Sequence, residues 1–337
     1  MKIKFLLLLV VISIFMSACT TSVRLKALSP AEVGEMATKK KVAVSSFRHD
    51  SVGLSGKIEA KISNYKLDNK KYFKVLSRKD INKVISEQKL QSSALMDETS
   101  SVRIGKLIGA QAIVSGEIAS AHAESTSYLE DREKCLKYVK KEGCVKYRYY
   151  KVRCFMTKAQ VSANINIVDV QDGSIIYGDA INKNYNSNSC RNSRNVLSKS
   201  QAKNYLTSLI ADEFVHKLTP HYVYFSVELL ESLDIDLNDK QELMFKRSIE
   251  YIKVGRMDRA DKLLLRLMDE VNGSSYVIAY NYGVLKEARA ELNEAKKLYS
   301  LADEISTEPI KEIIQALVRI DESLYKTNEA KRQINAN

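Results

Sequence analysis

The sequence predicts an α+β body, a mixed sheet with helices, followed by an all-α helical-repeat domain. Three observations carry this. From Val42 to about residue 121, apolar runs of strand length alternate with amphipathic helical stripes. Two alternating strands flank Gln171-Asp172-Gly173-Ser174, a hairpin signal. From Asn238 onward the spacing is helical, and two segments align 35 residues apart. With 3 Pro, 12 Gly and 45% apolar residues in 337, collagen-like, Pro-rich and broadly disordered classes are excluded. One stretch could enter a bilayer, at the extreme N-terminus, so a polytopic helical membrane protein is excluded too.

That stretch reads as an export signal. Lys2 and Lys4 precede an apolar run of eleven, Phe5 to Phe15, too short to span and of signal-core length. Met16-Ser17-Ala18 then leads into Cys19, which resembles the bacterial lipoprotein lipobox, with Met16 where Leu is usual. Residues 1–18 are expected to be removed and Cys19 to carry several acyl chains, enough for stable anchoring. Thr20 in place of Asp implies sorting to the outer membrane, facing the periplasm. Removal of Lys2 and Lys4 lowers the net charge from +12 to +10. Residues 19–38 look like a polar tether.

The elements follow in order. Val42 to Phe47 is a buried strand behind the solvated Lys39 to Lys41. Leu54 to Lys66 is a helix with Leu54, Ile58, Ile62 and Tyr65 on one face. A strand at 73–78 precedes an amphipathic helix, Asp80 to Leu90, striped by Ile81, Val84, Ile85 and Gln88. The helix Asp97 to Leu107 has Asp97 or Thr99 as cap candidates and Gly109 as its stop. Residues 112–121 form a strand. Val161, Ala163, Ile165 and Ile167 on one strand, with Ile175 and Tyr177 on the next, supply a buried face. A helix over 200–218 closes on this sheet, Pro220 ends it, and YVYFSVELL is a last strand. The α/β domain is thus bounded at 39–230.

The order VAVSSF, then FKVLSRKDINKVISEQKLQSSALMDE, then IGKLIGAQAIVSGEI resembles the CsgG family of outer-membrane lipoproteins, which includes the curli-secretion channel. The matched features are Phe47, Val75, Ser77-Arg78, Glu87-Gln88, Gly105-Lys106-Leu107, Gly109-Ala110 and Ile113-Val114-Gly116. Related periplasmic activators of penicillin-binding proteins, of the LpoB type, share this core. The resemblance covers about 40–230. It implies a non-catalytic protein acting in assembly or export of envelope or surface material, with an oligomeric secretion channel or an activator of a cell-wall synthase as alternatives. Protein partners in the envelope, such as a secreted subunit or a cell-wall synthase, and homo-oligomers are therefore expected.

In the channel, two hairpins assemble into a membrane barrel, which needs lipid-facing apolar residues at every second position. The corresponding places here are 122–157 and 182–200. Along 145–156 both faces carry two cations each, and the second place is polar throughout. A charge near the midplane of a barrel costs roughly 2–4 kcal/mol. The first place therefore reads as a periplasmic hairpin, rich in Tyr (128, 138, 147, 149, 150) and with ten Lys/Arg against five Asp/Glu over 121–160. Tyr among cations suits a polar docking interface, and the charge suits an anionic envelope partner. Nucleic acid is not expected, since export separates the chain from DNA and no recognition motif occurs.

Four cysteines remain after Cys19: Cys135, Cys144, Cys154 and Cys190. An even number in an exported chain suggests two disulfides, with three pairings open. Glu142-Gly143 could turn the chain tightly, which favours Cys135 with Cys144 and leaves Cys154 with Cys190. Spacings of 9, 10 and 36 do not suit a zinc site, and no metal is expected.

In the C-terminal domain, 238–326, Ser248, Tyr251, Gly255, Ala260, Leu264 and Leu267 align with Gly283, Lys286, Ala290, Ala295, Tyr299 and Ala302. Small residues followed by a large one resemble tetratricopeptide repeats, with Lys286 and Ala290 departing from the consensus. Ser248, Gly255, Ala260, Gly283, Ala295 and Ala302 are the repeat-packing candidates. The helix 310–326 would cap the stack, whose concave face would hold a peptide, and 327–337 is read as a polar tail. No enzyme is expected. His49, His122, His216 and His221 have no paired nucleophile, Asp169 and Asp172 flank a turn where Asp is common, and Asp131 and Glu133 belong to a charged surface. No GxGxxG or GxxxxGK[ST] cradle exists, so no cofactor is expected.

Overall fold

The computed structural model describes residues 21–76, 98–190 and 196–336. Cys19 and the helix expected over 80–90 lie outside the described residues. In chain order the elements are β1 (Ser22–Ser29), α1 (Gly34–Thr38), β2 (Lys41–Val44), α2 (Leu54–Asn64), β3 (Lys66–Leu67), β4 (Lys70–Lys71), β5 (Lys74–Leu76), α3 (Glu98–Ile108), β6 (Ala112–Val139), β7 (Gly143–Asp169), β8 (Ile175–Cys190), α4 (Lys199–Lys217), β9 (His221–Glu228) and five further helices. These are α5 (Asp239–Lys253), α6 (Met257–Glu270), α7 (Tyr276–Ala288), α8 (Leu292–Ile305) and α9 (Lys311–Asn335). Mixed sheet with helices comes first and a run of helices last, as the sequence indicates. The chain divides into an α/β unit, Pro30–His221 with Arg332–Asn337, and a helical unit, Met1–Ser29 with Tyr222–Lys331.

The α/β unit is built on a sheet of order β5-β2-β6-β7-β8. β2 runs parallel to both neighbours, whereas β6, β7 and β8 are antiparallel. Val42, Ala43 and Val44 are all buried, as expected of a central parallel strand covered on both faces. Ala43 and Ile113 pack with Ile104, Ala110 and Val170, which brings α3 onto the sheet. Val161, Ala163, Ile165 and Ile167 alternate as buried residues, and α4 buries Ala202, Leu206, Ile210 and Phe214. The Phe214 ring lies 5.6 Å from that of Tyr177 on β8. The N-terminus of α4 is closed by a capping box of Ser198 and Gln201. The turn between β7 and β8 places Gly173 at φ 83°, and its N–H donates to the Asp169 carbonyl at 3.0 Å.

β6 and β7 are far longer than the strands read from the sequence: 28 and 27 residues, paired from Ala112 opposite Asp169 to Val139 opposite Gly143. No Gly or Pro interrupts the chain between Glu117 and Glu142, so nothing local stops the ladder. The region expected as an insertion is therefore the outer half of two core strands.

The helical unit also begins and ends differently. Residues 22–29, read as tether, form β1, whose Val23 and Leu25 are buried while Ser22, Arg24 and Lys26 are exposed. YVYFSVELL, read as the last strand of the α/β sheet, instead forms β9 and pairs with β1. Val23, Leu25, Val227 and Leu229 join one core with Phe245, Ile249, Ile278 and Tyr282 of the helices. The polar tail is likewise structured: α9 runs to Asn335, with Ala330 and Gln333 buried. Gln333 is clasped within the α/β unit. Its Oε1 accepts from Ala31 N–H at 2.8 Å, and Lys40 Nζ donates to its carbonyl at 2.8 Å. The Tyr72 ring lies 3.8 Å from the Lys40 Nζ. Burial lowers the pKa of the Lys40 ammonium to about 8.

Candidate interaction surface

The outer part of the β6–β7 hairpin is an arm. Among the described residues, β8 accompanies β7 as far as Cys190, opposite Cys154. Beyond that point, among the described residues, β6 and β7 continue as a two-stranded ribbon to the turn after Val139, a reach of about 37 Å at the usual rise per residue. Isolated two-stranded ribbons are marginal in water, and two disulfides brace this one. Cys154 joins Cys190 at the base, with a Cα–Cα distance of 4.0 Å, and Cys135 joins Cys144 near the tip, at 5.8 Å. Gly143 at φ 78° sits at the reversal.

Charge is unevenly distributed along the arm. In its base, residues 129–133 and 149–153, Glu130, Asp131 and Glu133 balance Arg132, Lys151 and Arg153. Arg132 meets Glu130 at 2.6 Å and Lys151 meets Asp131 at 3.8 Å. The tip, 134–148, carries Lys134, Lys137, Lys140, Lys141, Lys146 and Arg148 against Glu142 alone, a net +5. Tyr138 and Tyr149 are 73% and 72% exposed, and the rings of Tyr147 and Tyr149 stack at 6.5 Å. Leu129 and Leu136 are exposed as well. Cross-strand pairing shows why the arm has no clean lipid-facing stripe. One face pairs Arg132 with Tyr150 and Lys134 with Arg148, and the other pairs Leu129 with Arg153 and Asp131 with Lys151. Of the second place, 182–200, residues 182–190 lie in the outer half of β8 and 199–200 begin α4, while 191–195 lie outside the described residues.

Sequence reasoning missed Glu130. Its carboxylate lies 3.2 Å from Cys190 Sγ and 3.5 Å from Cys154 Sγ. Both sulfurs are committed to the disulfide, so neither has a proton to donate and the contact is not a hydrogen bond. The other polar candidates serve structure. Asp169 is buried, ion-paired with Lys39, and accepts from Gln171 N–H at 2.7 Å. Asp172 accepts from Ser174 N–H at 2.9 Å, which holds its carboxyl below the ordinary range. The rings of His216 and His221 lie close, tilted by 40° with centroids 3.7 Å apart. Burial lowers the His216 pKa, and the neighbouring His221 adds to this.

In the helical unit, α5 with α6 and α7 with α8 form successive helix pairs. Ser248, Ala260, Ala295 and Ala302 are fully buried. A Cβ on Gly283 would stand 2.6 Å from the Tyr299 ring, so that helix crossing requires glycine. Gly255 does not pack between helices. It sits in the α5–α6 turn at φ 74°, and Ala290, its counterpart 35 residues on, holds φ 60° in the α7–α8 turn. Tyr299 donates to Glu287 Oε2 at 2.6 Å, and Arg319 Nη2 reaches the same oxygen at 2.9 Å. Burial pushes the Tyr299 hydroxyl well above its ordinary range, and Glu287 adds to this.

The helix pairs are contacted by the chain's own strand and by the segment that follows β9. β1 packs on α5 and α7, the first helix of each pair. The fully buried Asn281 on α7 accepts from Leu230 N–H at 3.0 Å and donates to Leu230 C=O at 2.6 Å. Tyr280 donates to the Glu228 carbonyl at 2.9 Å. Asp234 caps α7 through Ser275 and the Tyr276 N–H, the latter at 2.9 Å. Residues 228–234 are thus tied to α7 through their backbone at Glu228 and Leu230 and through the Asp234 side chain.

Comparison with known families decides the relationship. A model described as "Curli production assembly/transport component CsgG" matches residues 31–243, more than half of the chain. The chain belongs to the CsgG family. No curated protein sequence matches it. Among solved structures, this CsgG-family chain is similar to the LpoB C-terminal domain from Salmonella enterica at 13% identity, covering 45% of this chain and 91% of that one with a TM-score of 0.26. It is similar to lipoprotein GNA1162 from Neisseria meningitidis at 12% identity, 52% and 98% coverage and a TM-score of 0.31. It is also similar to the PelC dodecamer from Paraburkholderia phytofirmans at 13% identity, 59% and 97% coverage and a TM-score of 0.23.

Proposed function

We propose that this CsgG-family chain is a non-catalytic lipoprotein of the outer membrane, facing the periplasm, that acts in assembly or export of envelope or surface material through protein contacts. Cys19 anchors it, the α/β unit is its frame, and the braced β6–β7 arm is the docking element. The observation that carries this reading is the arm: a ribbon that runs on past the end of β8, holds two disulfides, and concentrates a net +5 with exposed Tyr and Leu in its tip. Such a tip suits an acidic partner surface with apolar anchoring points. A curli-type pore is the second reading, and the charged residues on both faces of the arm count against it. The test is cross-linking and affinity capture from the native envelope. One bait is the full chain. The other has Leu129–Arg153 replaced by a tight turn, with Cys154 and Cys190 retained. Loss of the captured partners from the arm-less chain is expected; an unchanged set of partners overturns the reading.

A further inference from the structure

The outward face of the β1–β9 ribbon lies next to the chain's anchor point, and its chemistry suits a lipid headgroup layer. The Leu229 N–H donates to the Thr21 carbonyl at 2.8 Å, so Thr21 is fixed to the helical unit. Only Thr20 lies between Cys19 and Thr21, so two residue steps separate them, a span of at most about 7 Å when fully extended. Whatever holds Cys19 therefore holds the start of β1 as well. The inward residues of the ribbon, Val23, Leu25, Val227 and Leu229, are used up in the core. The outward ones are Arg24 and Lys26 on β1 and Tyr222 and Tyr224 on β9. Arg24 lies over the Tyr224 ring at 4.8 Å and Lys26 over the Tyr222 ring at 4.6 Å. Arg24, Lys26 and Tyr224 are exposed. Glu228, the acidic residue of the stretch, already has a partner within the chain.

We infer that this face rests on the anionic phospholipid surface in which the acyl chains of Cys19 are embedded, with Arg24 and Lys26 on headgroup phosphates and Tyr222 and Tyr224 at the interface. The inference rests on the proposed acylation of Cys19. Tyrosine favours the boundary between headgroup and acyl layer because its ring is apolar and its hydroxyl is wet. Cations held over such rings are placed where the surface potential is negative. Acyl chains and a basic patch together give the two signals that stable anchoring needs. The helical unit, and not the acyl chains alone, is then seated at the membrane.

The chain contains no Trp, so Tyr224→Trp in the full lipidated protein introduces a single indole reporter. The variant is reconstituted into vesicles of phosphatidylethanolamine and phosphatidylglycerol containing brominated lipid. There the indole emission is expected to shift to the blue and to be quenched. A second arm uses the full mature chain with Cys19→Ser, exported behind an ordinary signal. It is expected to bind those vesicles and to lose roughly tenfold or more in binding with Arg24→Ala and Lys26→Ala together, in line with about 1 kcal/mol for each basic residue at an anionic surface. Vesicles of phosphatidylcholine alone should bind neither form of this unacylated chain. An unquenched indole in protein that stays vesicle-bound overturns the inference and leaves the anchor intact. Mass analysis showing Cys19 unacylated overturns both. Arg24 and Lys26 variants that change the oligomeric state but not vesicle binding make the face a contact between copies, which also overturns it.

Discussion

Asn281→Ala tests how firmly the segment after β9 is tied to the helices. The substitution removes the side chain that pairs both backbone groups of Leu230, at 3.0 Å to its N–H and 2.6 Å to its C=O. Each buried backbone group left without a partner costs about 1–3 kcal/mol. Leu230 is half-buried, so water recovers part of this, and the expected loss is about 2–4 kcal/mol in the stability of the helical unit. Asn281→Asp should cost more at neutral pH. Its carboxylate keeps the bond from the Leu230 N–H but faces the Leu230 carbonyl with a buried charge. Burial raises that carboxyl's pKa, so the folded state binds the proton more tightly and stability recovers as pH falls through the raised value. The readout is urea unfolding together with amide exchange at residues 227–237, which should accelerate in both variants. A loss below about 0.5 kcal/mol with exchange unchanged would refute the reasoning that Asn281 holds this segment.

Three further outcomes follow from the geometry. Glu287→Gln leaves the half-buried Arg319 guanidinium without its buried anion and is expected to cost at most about 3 kcal/mol, below the range for a fully buried pair, whereas adding Arg319→Met should recover part of that in a double-mutant cycle. Replacing Cys135 and Cys144 by Ser should speed exchange only over residues 134–148, while replacing Cys154 and Cys190 should loosen the outer half of β8; chain-entropy estimates are about 3 and about 4 kcal/mol for loops of these lengths. Lys40 has a folded pKa of about 8 against 10.5 when free, so between those values the unfolded chain binds more protons. Stability should therefore rise with pH across that window in the parent protein and less so in Lys40→Met, as read by denaturation on either side of it.

Much of this is legible from local patterns. Gly109 and Gly173 are expected at chain reversals, and both hold positive φ. Cys135 and Cys144 are expected to pair across a turn at Gly143, and do. The alternation of Val161, Ala163, Ile165 and Ile167 identifies the buried face of β7. What escapes is set by tertiary partners. The Val23/Leu25 alternation of β1 is only two residues deep and finds its meaning in β9, some 200 residues away. YVYFSVELL is an evident strand, but nothing in it says which sheet it joins. Residues 327–335 are too polar to announce a buried helix end, because Gln333 is stabilised there by the backbone of Ala31. Asn281 and Asp234 read as ordinary polar residues until the segment they grip is in place. The length of β6 is readable in principle, from the lack of Gly and Pro between Glu117 and Glu142.

The most direct check on the central claim is intact-mass and peptide mass analysis of the chain purified from its own cell envelope. The expected product begins at an acylated Cys19, lacks residues 1–18, and carries Cys135–Cys144 and Cys154–Cys190 as disulfides. A chain recovered from the cytosol with Met1 in place and free thiols would contradict it.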